Sequence, residues 1–261
     1  MPAPPPPELL RRFGPEHLAA FTREELERFL GPLGVGVSEA AEAWDLVAPA
    51  LAWELLYRAE PELYDRLVAG ERLHPGILAW LPRDVPCAVE VGAGSGRLTL
   101  DLAPRCGSLV AVEPAAPMRA LLEDKLQLAE TANVRVVEGF FERLPVDDRS
   151  ADLVVSCSAF TRELGHGGEA GLTEMLRVAR PGGLLVVVWP DDPAWLVARG
   201  FQHIAFPGDM SVEFRDVAEA TELTEVFFPR GGEWIRRTGS SSVPFDVLGV
   251  NAPRDLCWRR A

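Results

Sequence analysis

The chain has 261 residues, of which 48% are hydrophobic and 25% charged, proportions of a globular protein that can bury a core without disulfides or structural metal. Its formal net charge of -13 repels phosphate backbones and acidic lipid surfaces, which weighs against a free-standing nucleic-acid binder. Cys87, Cys106, Cys157 and Cys257 stand far apart in no CxxC pair, so no zinc site or disulfide framework is spelled out and no metal is expected.

In chain order, the proline run of residues 1–7 favours an extended, disordered tail and lacks the basic start and apolar stretch of a secretion signal. Residues 1–80 read as a helical extension or lid. Leu18, Phe21, Leu26, Phe29 and Leu30 fall at helical spacing, with Thr22 and Glu25 placed as a capping box. Gly31-Pro32-Leu33-Gly34 breaks the segment. Ser38 is positioned to cap a second helix through Trp44, Leu46 and Trp53, with Pro49 kinking or interrupting it. Two further helices are expected over 61–69 and 75–81.

From Pro86 the texture changes to short β-branched runs at 88–91, 109–112, 134–137, 153–156 and 184–188. Helical stretches near 97–102, 117–130 and 171–179 separate them. Apolar strands alternating with helices predict a parallel sheet covered on both faces. Residues 201–206 and 255–259 read as two more strands, and 214–228 and 232–238 as helices. The expected fold is α/β, a doubly wound, mostly parallel seven-stranded sheet over 81–261, with the N-terminal helical extension and a helical cap inserted at 207–250. No apolar run reaches the roughly 18–20 residues of a membrane span. A cytoplasmic protein with no membrane and no nucleic-acid partner is expected.

The central motif is Val89-Glu90-Val91-Gly92-Ala93-Gly94-Ser95-Gly96-Arg97-Leu98, where a strand passes into a helix. Its glycines let the backbone turn tightly and approach a ligand. Glu90 suits a cationic or hydroxyl-bearing ligand better than a pyrophosphate, which it would repel. The next strand ends at Glu113, about 20 residues beyond the loop, where an acid takes ribose hydroxyls in nucleotide folds. An adenosine-bearing ligand is therefore expected.

Glu-x-Gly-x-Gly-x-Gly followed by an acidic strand end resembles the first two motifs of class I S-adenosylmethionine-dependent methyltransferases. The later motifs follow in register. Val134 to Pro145, Ser150 to Ser156 and Met175 to Val186 resemble the family's adenine segment, its fourth strand, and its helix, turn and fifth strand. The resemblance implies a Rossmann-like fold of the type 11-like small-molecule methyltransferases, with S-adenosylmethionine as cofactor. It implies that Glu90 sits near the methionine amino group and that Gly92, Ala93, Gly94 and Gly96 pass beneath methionine and ribose. Glu113 would hold both ribose hydroxyls, with Pro114 and Met118 beside the adenine. Many relatives carry an acid after the residue corresponding to Gly139; this chain has Phe140, so Phe141 backbone or Glu142 would take over that contact. Ser156, at the end of the fourth strand, completes the implied cofactor set.

Methyl transfer from a sulfonium is an in-line displacement, so proximity and water exclusion dominate. A general base is needed only for a protonated acceptor. Ser156, Ser158, Phe160, Thr161, His166, Trp189, Asp191 and Asp192 follow the fourth and fifth strands, where a small-molecule acceptor is expected, and His166 is the candidate base. Two alternatives stand beside this reading. A nicotinamide-dependent oxidoreductase would carry Gly-x-Gly-x-x-Gly, whereas here the third glycine comes one residue early. A non-catalytic, cofactor-binding regulator would keep the same loop.

Overall fold

The computed structural model describes residues 5–163 and 165–261. The chain divides into two compact units, one of residues up to Arg72 with Asp209–Ala252, the other of Leu73–Gly208 with Pro253–Ala261.

The first unit opens with α1 (Pro7–Leu10). Pro7 therefore begins a helix rather than ending an extended tail, because proline at the first helical position loses no hydrogen bond. Residues 1–4 of the expected tail lie outside the described residues. In α2 (Arg23–Leu30) the expected capping box forms: Glu25 N donates to Thr22 Oγ1 and Thr22 N donates to Glu25 Oε2, the latter at 2.8 Å. α3 (Trp44–Ala59) starts later than expected. Ser38 falls in a separate 3-10 turn, Val37–Glu39, and does not cap it. Pro49 lies inside α3 without ending it, at the loss of one backbone hydrogen bond. α4 (Pro61–Gly70) follows.

The second unit begins with α5 (Pro75–Trp80), whose Gly76 N donates to His74 Nδ1. Then come β1 (Val85–Val91), α6 (Thr99–Leu102), β2 (Cys106–Val112), α7 (Ala116–Leu128) and β3 (Val134–Val137). β4 (Ala151–Cys157), α8 (Gly168–Val178), β5 (Ala179–Val188), α9 (Pro193–Val197) and β6 (Gln202–Ala205) complete the run. Turns occupy residues 94–98, so α6 begins two residues later than the spacing suggests. It passes into a 3-10 turn at Ala103–Arg105, around Pro104.

The chain returns to the first unit through β7 (Ser211–Glu213), α10 (Val217–Phe227), α11 (Pro229–Thr238), β8 (Ser242–Pro244) and α12 (Phe245–Leu248). β7 and β8 pair antiparallel, so this insert carries a small sheet besides its helices. Strands of three residues are too short for alternation to announce them. β9 (Asp255–Arg260) then re-enters the second unit.

The main sheet has seven strands in the order β3-β2-β1-β4-β5-β9-β6. β9 runs antiparallel to both neighbours, and the pairings from β3 through β5 are parallel. The expected doubly wound sheet is therefore present. One face buries Val89, Val91, Val154 and Val187 with Leu172 and Met175 of α8. The other buries Ala88, Leu109, Val155 and Val186 with Ile77, Leu98 and Leu102. Strand order reverses between β1 and β4, and open α/β sheets bind ligands at the carboxyl ends of such strands. Among the described residues no helix is long and apolar enough to cross a membrane.

Candidate cofactor site

β1 delivers the chain at that switch point into the glycine loop. β2 anchors the loop: Gly92 N and Ala93 N both donate to Val112 O, at 2.9 and 3.1 Å. The three glycines serve different ends. A Cβ on Gly92 would stand 2.5 Å from Ala159 Cβ, and one on Gly96 2.6 Å from Leu122 Cδ1. Those two are closed against protein. At Gly94, with φ +56, a Cβ meets only Met118 Cε within 4 Å among the described residues, at 3.9 Å. That open side is where a ligand can come close to the backbone.

Glu113 follows β2 directly and is buried. Gly94 N donates to its Oε2 and Ala115 N to its Oε1, each at 2.9 Å. A carboxylate accepts only, and its two oxygens can take hydroxyl donors. Arg119 Nη1 donates to the carbonyls of Glu113 (2.8 Å) and Pro114 (2.6 Å) and fixes this turn. Met118 is buried and Pro114 half-buried.

Glu90 is 1% exposed. Thr99, the first residue of α6, donates its hydroxyl to Glu90 Oε2 at 2.7 Å. Burial pushes the Glu90 carboxyl up to about 8, the nearby charge of Glu113 adds to the rise, and the Thr99 hydrogen bond works against it. Two buried hydroxyls, Ser95 Oγ in the loop and Ser156 Oγ in β4, have no hydrogen-bond partner among the described residues. Such a group costs about 1–3 kcal/mol. The unpaired Ser95 hydroxyl, the open side of Gly94 and the buried carboxylate of Glu113 fit an adenosyl amino acid. Among the described residues no cluster of His, Cys, Asp and Glu could hold a metal.

The adenine end is arranged differently from the rest. Phe141 is buried, packed edge-to-face on Phe160 with ring centroids 5.5 Å apart, and its ring lies under Gly92 and Gly171. Its side chain supports the loop from within the core. Phe140 is half-buried, and its carbonyl accepts from Arg143 N at 3.0 Å in a tight turn; Glu142 between them is also half-buried. His166 lies in the loop entering α8, where its carbonyl accepts from Thr161 N at 2.8 Å. Leu164 of the same loop lies outside the described residues.

Sequence reasoning missed Thr99, although a threonine opening the helix after the loop is a natural partner for a strand-end acid. It also missed the backbone at the next two strand ends. Ser158 (φ +56) and Trp189 (φ +51) both adopt the left-handed region, at about 1–3 kcal/mol each for a residue with a side chain. Ser158 N donates to Val188 O and Trp189 N to Asp255 O. The Arg97 guanidinium lies 5.1 Å from the Trp189 ring centroid, joining the glycine loop to the end of β5. No residue pattern forecasts either backbone conformation.

Residues 89–187 match the family described as a methyltransferase domain. An uncharacterized methyltransferase of Mycobacterium tuberculosis is 34% identical over 122 residues, 44% of this chain and 44% of the relative. A malonyl-[acyl-carrier protein] O-methyltransferase of Coxiella burnetii is 33% identical over 123 residues, 45% of this chain and 40% of the relative. The chain thus spans less than half the length of these curated relatives. A chain of the solved complex between the Trm112 methyltransferase activator and a methyltransferase of Haloferax volcanii shares the fold. Its TM-score is 0.50 at 18% identity, over 79% of this chain and 96% of that one.

Residues 89–187, which match a methyltransferase domain, thus lie on a Rossmann-like sheet.

Proposed function

We propose that the protein transfers the methyl group of S-adenosylmethionine to a small-molecule acceptor. The observation that carries this reading is the pair formed by Gly94 and Glu113, an open backbone position hydrogen-bonded to a buried carboxylate. The cofactor supplies an activated methyl group on a sulfonium, displaced in line by the acceptor. The chain contributes alignment and exclusion of water. Glu113 holds the ribose hydroxyls, Gly92, Ala93, Gly94 and Gly96 run beneath ribose and methionine, and Glu90 faces the ammonium. Pro114 and Met118 stand beside the adenine, and the Phe141 backbone and Glu142 replace the acid that Phe140 displaces.

Two features support a small acceptor. The net charge of -13 opposes nucleic-acid binding. The segment Ser156-Cys157-Ser158-Ala159-Phe160 lacks the Asn/Asp-Pro-Pro-aromatic signature of amino-methylating nucleic-acid enzymes. Where the acceptor carries a hydroxyl or ammonium, His166 is the candidate base. Incubation with methyl-labelled S-adenosylmethionine and a cell extract tests the acceptor class. Label is expected in the small-molecule fraction; label in protein or RNA contradicts it.

A further inference from the structure

The buried acid Glu90 has a property that the family's fold does not dictate. Its neighbours by element are these. β4 presents the apolar Val155 in register with it, and β2 presents Ala111. β2 also brings Cys106 at its start and leads into Glu113 at its end, and α6 brings Thr99. The Cys106 thiol is pushed up to about 11, by burial first and by Glu90 next, so it stays neutral near pH 7. The charge of Glu113 acts on Glu90, and it repels. Glu113 itself accepts from Gly94 N and Ala115 N. Two carboxyls thus lie close together in a buried site. The Thr99 hydroxyl can donate to Oε2 of a neutral or an ionised Glu90, and the bond is stronger to the ionised form.

We propose that Glu90 is held as a neutral carboxylic acid and ionises when the cofactor's ammonium reaches it, so that binding releases a proton. The inference rests on the cofactor reading above. The carboxyl O–H bond breaks, its proton goes to solvent, and an ammonium–carboxylate pair replaces a neutral acid. The ammonium offsets both the desolvation and the repulsion from Glu113 that keep the empty site protonated. Ligand selectivity follows. An adenosyl thioether with the amino-acid tail couples to Glu90; one without it does not. Thr99 becomes a positioning residue, which aims the acid and lowers the cost of its ionisation.

Two experiments test this separately from the cofactor reading. The first is calorimetric titration with S-adenosylhomocysteine at pH 7 in buffers of different ionisation enthalpy. Close to one proton released per site is expected for the native chain, and none for Glu90→Gln, which mimics the neutral acid. 5′-Methylthioadenosine, which lacks the ammonium, should bind without proton release. Binding of S-adenosylhomocysteine with no proton exchange overturns the inference and leaves the cofactor reading intact. Absence of S-adenosylhomocysteine binding overturns the cofactor reading and this inference together.

The second experiment needs no ligand. A carboxyl raised from 4.5 to about 8 by folding makes the native state bind more protons than the unfolded chain in that window. Its contribution to stability therefore falls as pH rises from about 4.5 through about 8. Thermal unfolding from pH 5 to 9 should show native stability declining relative to Glu90→Gln, with the variant the more stable at pH 9. Parallel curves for the two proteins contradict a neutral Glu90.

Discussion

Gly94 and Gly96 are two residues apart, share a motif and both have positive φ, yet their substitutions should fail differently. Gly94→Ala places its Cβ on the open side and incurs about 1–2 kcal/mol of left-handed strain, a loss of a few degrees in Tm. Binding of S-adenosylhomocysteine should weaken at least tenfold. Gly96→Ala puts a Cβ 2.6 Å from Leu122 Cδ1 at φ +98, a conformation L residues rarely adopt, and should lower Tm further. Thermal unfolding beside calorimetric titration separates the two. Unchanged binding in Gly94→Ala would remove Gly94 from the site. Glycine spacing in the sequence announces a tight loop after a strand. It does not say which glycine faces a ligand, because Ala159, Phe141 and Leu122 reach the loop from distant parts of the chain.

The capping box at Thr22 was legible because both halves lie within one turn of chain. The start of α3 was not, because a 3-10 turn at Val37–Glu39 took up the serine that looked like its cap. The central strands were legible from their β-branched runs. β7 and β8 were hidden by their length. What joins α2 to α3 is also invisible locally. Arg58, with its side chain 2% exposed, pairs with Glu25 of α2 at 2.6 Å and with Glu54 one turn back on α3. Its guanidinium lies 4.7 Å from the Phe21 ring centroid and 5.6 Å from that of Phe29. Removing one partner of a buried ion pair leaves uncompensated charge and costs roughly 3–5 kcal/mol. Arg58→Met should therefore lower Tm by about 10 °C, read by thermal unfolding at pH 7. A shift of under about 2 °C would show that the cluster contributes little. Glu25 is itself held below its ordinary range. Burial opposes this, and hydrogen bonds from Arg58 and Thr22 overcome it. Its share of stability is present above the ordinary carboxylate range and is lost as pH falls through its lowered value.

At the scale of the whole molecule, alternation of strands and helices was enough to forecast a doubly wound sheet, and the parallel pairing of β1 with β2 puts Glu90 and Glu113 at neighbouring strand ends. The forecast succeeds there because glycine loop, strand-end acid and helix start are short-range features arranged by one topology. The acceptor is not written in this way. Under the proposed function it would depend on residues after β4 and β5, such as Ser158 and Trp189, whose backbone N–H groups donate to Val188 O and Asp255 O. Acceptor sites are grafted on shared folds and vary freely between them. The cofactor remains the part of the account that a single measurement reaches. Calorimetric titration of the full chain with S-adenosylhomocysteine, NAD and NADP, beside Glu113→Gln, tests it most directly. One molecule of S-adenosylhomocysteine should bind per chain, weakened at least tenfold in Glu113→Gln, with neither nicotinamide cofactor binding. Tight NAD or NADP binding without S-adenosylhomocysteine binding would contradict the account.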